Sequence, residues 1–289
     1  MKATKLISIL GKKFPKSVAV KNHDFHGLML GKPKGKDFQR ILLCLDLDYL
    51  IYDEILSFKP DLIITHHPFI YGKKNYVLKN DPIKKDLYDK LNNLNICVYS
   101  YHTSFDECKD GMNDVLSNKL ELVNIKPLES CPMARGGMLK YEMSFEEFNK
   151  YCLEKLNIPY SLSFNYGKKT IKTVAIVGGG GWSMFKNAKE EGYDVFISGD
   201  IPHHGQRDVI LEKYNYINIA HEVENVFMEQ MKKILNQIDD TLDIKIVIHE
   251  KVPELFTLKK WTYFFNNYFN FFFWGRCTSE NNNFIFFCK

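Results

Sequence analysis

Between residues 40 and 250 the chain alternates short apolar runs with segments of helical period. Runs of about four to eight apolar residues bounded by turn formers read as strands buried on both faces, the form that parallel sheets take. Seven such strands are predicted, over 40–46, 61–65, 96–101, 171–177, 194–198, 216–220 and 244–249. Helical periodicity lies between them. Over 82–94, Ile83, Leu87, Leu91 and Leu94 recur at three- and four-residue spacing, the apolar stripe of an amphipathic helix. The segment 144–156 opens on Ser144-Phe145-Glu146-Glu147, a capping-box pattern that marks a helix start. Strands alternating with helices predict an α/β fold. With 289 residues, two domains of ordinary size are expected, and the stretch 124–130, which carries Pro127 ahead of Pro132, is the expected boundary.

The C-terminus breaks the pattern. Residues 261–274 hold ten aromatic side chains in fourteen positions, with neither strand nor helix period. A helix of that length is too short for a bilayer, which needs about 20 residues. Two readings stand: an aromatic membrane-interface or partner-docking segment, or a non-homologous extension from about residue 259. Neither enters the fold argument.

Composition narrows the function classes. Hydrophobic content of 45% and charged content of 26% are those of an ordinary globular protein able to bury a core. Thirty-nine Lys and Arg against 35 Asp and Glu leave +4, too small an excess to argue for nucleic acid. Seven cysteines are odd in number and contain no Cys-x-x-Cys pair, so they read as reduced packing thiols rather than a zinc knuckle or redox centre. The N-terminus opens into a short amphipathic stretch and not a signal-peptide core, so a cytoplasmic protein without a membrane span is expected.

The chemistry collects at predicted strand ends, where ligands bind in open α/β sheets. The run 61–65 ends in His66-His67-Pro68, the run 96–101 is followed by His102 and Asp106, and the run 216–220 delivers His221, Glu222 and Glu224. His102 and Asp106, four apart, face one cleft if their segment is a tight turn or a nascent helix. Imidazole with carboxylate suits Zn, Mn, Fe, Co or Ni, and two such sets suit a dinuclear centre. Gly178–Gly181, after a strand and before a helix-like segment, reads either as a phosphate loop or as a tight strand-to-helix turn. Asp200 is a candidate cap for the next helix, and His204 a candidate group on the substrate side. Arg135-Gly136-Gly137 is either a solvated turn or a flexible cationic point for an anionic substrate.

Taken in order, Thr65-His66-His67-Pro68, His102 to Asp106 with Gly111-Met112-Asn113-Asp114, Val177 to Gly181, Ser198-Gly199-Asp200 with His204, and His221 resemble the GTP cyclohydrolase I type 2 homologs, or Ngg-interacting-factor-like proteins. The resemblance covers about residues 5–257. It implies two similar three-layer α/β domains facing each other across a metal-binding cleft, here residues 1–125 and 126–258, the second returning His221 to the cleft. It further implies two divalent ions per chain (Zn, Fe, Mn, Co or Ni) on His66, His67, Asp106 and His221, with a glutamate four residues after the last, and assembly into hexameric rings. Four residues after His221 stands Asn225, so either Glu224 or Glu222 must serve, or one ion is held more weakly. The family's Trp-Asp-Asn-x-Gly segment is here His23-Asp24-Phe25-His26-Gly27, with only Asp24 and Gly27 kept.

Two functions follow as expectations. The first is a metal-dependent hydrolase acting on a nucleotide or other small phosphorylated, anionic substrate. In it the ions polarise an oxygen and generate hydroxide near neutral pH, Glu224 is ligand or general base, and His102 or His204 carries the proton. The second is a non-catalytic metal-binding or scaffold protein acting as an oligomeric ring. A nucleic-acid clamp is a third and weaker reading, opposed by the charge balance.

Overall fold

In the computed structural model the chain divides into a compact unit, Met1–Val252, and residues Pro253–Lys289. The structure describes residues 1–250 and Pro253, so both readings of the aromatic segment lie outside the described residues. The strands are β1 (Gly27–Leu30), β2 (Arg40–Cys44), β3 (Leu62–Thr65), β4 (Cys97–Ser100), β5 (Val123–Pro127), β6 (Arg135–Ser144), β7 (Ser161–Asn165), β8 (Thr170–Ile176), β9 (Val195–Ser198), β10 (Asn215–Ile219) and β11 (Asp243–Ile246). The helices are α1 (Ala3–Lys13), α2 (Lys16–Lys21), α3 (Tyr52–Phe58), α4 (Lys74–Asn80), α5 (Pro82–Asn93), α6 (Thr103–Glu107), α7 (Met112–Lys119), α8 (Phe145–Leu156), α9 (Phe185–Glu190), α10 (His203–Leu211) and α11 (Val226–Ile238).

The strands form two sheets, ordered β1-β4-β3-β2-β11 and β5-β6-β8-β9-β10-β7. In the first, β4, β3, β2 and β11 run parallel and β1 antiparallel. In the second, β8, β9 and β10 form a parallel core flanked by antiparallel β6, β5 and β7. The seven predicted strands are β2, β3, β4, β8, β9, β10 and β11. The other four pair antiparallel to their neighbours and have partly exposed faces; β5, β6 and β7 carry no continuous apolar run, and that of β1, Leu28-Met29-Leu30, is short and bounded by glycines. The stretch 124–130 overlaps the edge strand β5, which ends on Pro127, at a place where a missing backbone donor costs little.

Strand alternation distributes side chains between layers. Leu42, Cys44 and Ile63 face the outer helices α3 and α5, through Ile55, Leu87 and Leu91. Ile41, Leu43 and Ile64 face inward and share one continuous apolar cluster with Val174, Ile176, Ile197 and Ile217 of the second sheet and with α1, α7, α8 and α11. Ala175, Val177 and Phe196 face α9 and α10 on the far side. The architecture is therefore two three-layer α/β units whose inner helical layers merge into one core. The capping box at α8 forms as predicted, with Ser144 Oγ accepting from Glu147 N at 3.2 Å and Ser144 N donating to Glu147 Oε2 at 2.9 Å. Among the described residues, five cysteines are unpaired and no helix is long and apolar enough to cross a membrane.

Arg135 overturns both readings of its segment. It is buried on β6, donates from Nε to Asp114 and from its other nitrogens to the carbonyls of Pro132 and Glu107, and so bolts the second sheet to the α6–α7 corner. At that corner Gly111 is obligatory, because a Cβ there would collide with the Phe105 carbonyl oxygen.

Candidate metal centre

Three parallel strands deliver imidazoles from their carboxyl ends. Beyond β3, the backbone of His66 and His67 continues the pairing onto Cys44 and Leu45, and Thr65 Oγ1 donates to the His67 carbonyl at 2.7 Å, which sets the turn before Pro68. Beyond β4, His102 stands at the N-cap of α6 and Asp106 lies within that helix, buried. Beyond β10, residues His221–Asn225 form a 3₁₀ turn. Side chains three apart eclipse one another in a 3₁₀ helix, so Glu224 and not Asn225 stands over His221. The carboxylate three residues after His221 is therefore the one beside its imidazole.

Each of the four imidazoles has its Nδ1 occupied. His66 Nδ1 donates to the Tyr101 carbonyl at 2.9 Å, His67 Nδ1 to Asp46 Oδ2 at 2.7 Å, His102 Nδ1 to Asp24 Oδ2 at 2.8 Å, and His221 Nδ1 to Asp200. Such partners fix the ring tautomer and leave Nε2 to bind. The Nε2 atoms of His67 and His221 face each other at 3.3 Å, and Glu224 Oε2 is 3.0 Å from both and 3.5 Å from His66 Nε2. Asp106 Oδ1 faces His66 Nε2 at 3.6 Å, and among the described residues neither buried atom has a hydrogen-bond partner.

Two buried ligand-type atoms left unpaired, and two imidazoles pointing their free nitrogens at one another, require positive charge between them. Without a cation, protons supply it. Burial opposes protonation of His67, but its bonds to Asp46 and Glu224 push it up to about 10. The bond to Glu224, opposed by burial and helped by Asp200, pushes His221 up to about 9. Burial would raise Glu224, yet the surrounding imidazoles hold it well below the carboxylate range. Asp106 goes the other way, raised by burial and by the Glu224 charge. The donor set fits divalent cations. His66, His67 and His102 bring one ligand atom each within 4.8 Å of one another, as do His67, His221 and Glu224, so either group could bind an ion.

Glycines form one wall of the centre. Gly179 has φ +60°, and a Cβ there would collide with Glu224 Oε1. Gly178 N donates to Asn113 Oδ1 at 2.7 Å, and Asn113 Nδ2 reaches back to the Asp106 carbonyl at 3.2 Å. The Gly178 amide is thus taken by Asn113, the Gly181 amide by the Gly179 carbonyl and the bare Gly179 Cα by Glu224, so the tight-turn reading describes the loop better than the phosphate loop. His204 is not brought into the cluster. It lies exposed at the start of α10, its ring edge-on to Trp182. Asp200 is likewise not a helix cap, since Pro202 occupies that position. Asp24, by accepting from His102 Nδ1, Thr103 N and Thr103 Oγ1, gives the His23–Gly27 loop its role, and burial notwithstanding these bonds lower its carboxyl to about 2. In the sequence Asp46 marks only the end of a predicted strand. Its signal was its place at a strand's carboxyl end beside the strand of His66 and His67.

A family model for Duf34/NIF3 (NGG1p interacting factor 3) matches residues 1–254. The chain belongs to this family. Similar relatives include the GTP cyclohydrolase 1 type 2 homolog of Clostridium perfringens, 28% identical over 89% of this chain and 99% of the relative. That of Methanocaldococcus jannaschii is 29% identical over 86% and 98%. Among solved structures, a Bacillus cereus protein related to NIF3 superposes with a TM-score of 0.78 at 20% identity, covering 88% of this chain and 99% of its own, and shows the shared fold. Reduced HcgD from Methanocaldococcus jannaschii superposes with a TM-score of 0.71 at 27% identity, over 85% and 97%.

Proposed function

We propose that this Duf34/NIF3 chain holds two divalent ions, Zn, Fe, Mn, Co or Ni, on His66, His67, Asp106, His221 and Glu224, and uses them to hydrolyse a nucleotide or other small phosphorylated substrate. The carrying observation is the convergence of four imidazoles, each tied at Nδ1, on two buried carboxylates. The two α/β domains, taken as residues 1–125 and 126–258 with β11 crossing back to the first sheet, contribute one half of the centre each. Bound ions would supply Lewis acidity and lower the pKa of water. Glu224, already ionised and touching both His67 and His221, bridges the two halves and is placed to accept a proton. His102, oriented by Asp24 and partly open to solvent, carries protons between site and bulk. His204 has no part in this arrangement.

A second reading is favoured by the tightness of the cluster. With 3.0 Å between Glu224 and each of two imidazoles, the site accommodates ions more readily than a substrate, which suits a non-catalytic metal-binding or scaffold role in an oligomeric ring. Metal-loaded protein assayed over nucleotides and phosphoesters separates the two. The hydrolase reading expects turnover that a chelator abolishes, that re-added ions restore and that His67→Ala lacks. Two bound ions with no turnover across the panel would favour the binding role.

A further inference from the structure

The last described turn of chain returns to the centre from behind. Strand β11 pairs with β2, and Val247 N continues the ladder onto the Leu43 carbonyl at 2.9 Å. Past Ile248, the side chains of His249 and Glu250 meet the loop after β2. Glu250 Oε1 accepts from Asp46 N at 3.1 Å, and His249 Nε2 lies 3.1 Å from the same oxygen and 3.2 Å from Asp48 Oδ2. Both side chains are largely buried, with exposures of 11% for His249 and 20% for Glu250. Asp46 in turn accepts from His67 Nδ1, and His67 is the one imidazole common to both groups of ligand atoms.

We propose that Glu250, with His249 bridging it to Asp48, is a positioning residue that fixes the Asp46 carboxylate and through it the aim of the His67 imidazole at the metal centre. The inference rests on the metal reading above and adds to it a contribution from residues more than 180 positions away in sequence. Two features argue that the contacts serve Asp46 and not stability alone. Among the described residues, Glu250 Oε2 and His249 Nδ1 are buried without a partner, an arrangement that costs stability, so the pair is not the best filling of that space. The bonds it does make converge on the loop 46–48, whose one function in the cluster is to hold His67. A group that directly orients a ligating histidine, as Asp46 orients His67, typically matters by about 10- to 100-fold in metal affinity, and Glu250 acts through that group.

The test compares two variants of similar bulk in the full chain. Glu250→Gln keeps an oxygen that accepts from Asp46 N and His249. Glu250→Met fills the space and accepts nothing. Both are loaded with Co²⁺, and affinity, dissociation rate and the visible ligand-field spectrum are measured beside the thermal unfolding of the metal-free protein. Positioning predicts that Glu250→Met loses about tenfold or more in affinity and shifts the spectrum, while Glu250→Gln stays within about threefold of wild type. His249→Phe should fall with Glu250→Met. If the Gln and Met variants are equally impaired, or neither departs from wild type, the proposal is overturned while the metal reading stands. If wild-type protein takes up no Co²⁺, the metal reading fails and the proposal with it.

Discussion

At the scale of single residues, the centre depends on what is missing as much as on what is present. Gly179 leaves the space that the Glu224 carboxylate occupies, and its φ of +60° would strain any side chain. Gly179→Ala should therefore displace Glu224, costing about 1–3 kcal/mol of stability from backbone strain and, as equilibrium dialysis would show, about tenfold or more in metal affinity. Protonation supplies a second residue-level expectation. His67 and His221 are held up to about 10 and about 9, so in metal-free protein at neutral pH both carry protons that an incoming cation must displace. Metal uptake should release protons and affinity should rise from pH 6 to pH 8, which calorimetry in buffers of different ionisation enthalpy checks; pH-independent uptake would contradict the assignment.

At the scale of elements, the parallel core of the second sheet is fastened at its amino end by Asp194. Its carboxylate accepts from Lys172 N at 3.0 Å, from Thr173 N at 2.8 Å and from Lys168, joining β8 to the start of β9. Burial opposes ionisation, but these bonds hold the carboxyl below its usual value of 3.8. A depressed folded-state pKa means that this stabilisation is complete above about pH 4 and fades as the pH falls below it. Asp194→Ala should cost about 2 kcal/mol in urea unfolding at pH 7, and the gap from wild type should narrow in acid. Elements also show what was legible in the sequence. Strands β2, β3, β4 and β9 could be read because burial on both faces leaves a nearly unbroken signal, and His66, His67, His102 and His221 could be placed because they follow predicted strands directly. The four antiparallel strands could not, since half-exposed faces dilute the pattern. Asn225 stands where the resemblance implies a glutamate, and the sequence leaves Glu224 and Glu222 open as substitutes; the 3₁₀ turn puts Glu224 on the face of His221. The burial of Arg135 is not legible because the two glycines after it suggest a turn, whereas all three residues lie in β6 and the Asp114 that pairs with Arg135 is 21 positions away.

At the scale of the whole molecule, the merged helical layer lets strand ends from two sheets meet, which no single α/β unit could arrange. One half of the centre comes from β3, β4 and α6, the other from the turn after β10, and Asp46 and Asp200 hold an imidazole on each side. A cation bound there cross-links the two sheets, so its removal should lower the unfolding midpoint as well as any activity, in line with the linkage between ligand binding and folding. The most direct measurement is the metal content of the full chain purified without chelator or affinity tag, compared with His67→Ala. The account predicts two divalent ions per wild-type chain, and a clear loss of metal in His67→Ala with the same circular dichroism and cooperative unfolding. Wild-type protein that stays metal-free when offered Zn, Fe, Mn, Co and Ni, or a His67→Ala variant that retains its full metal content, would contradict it.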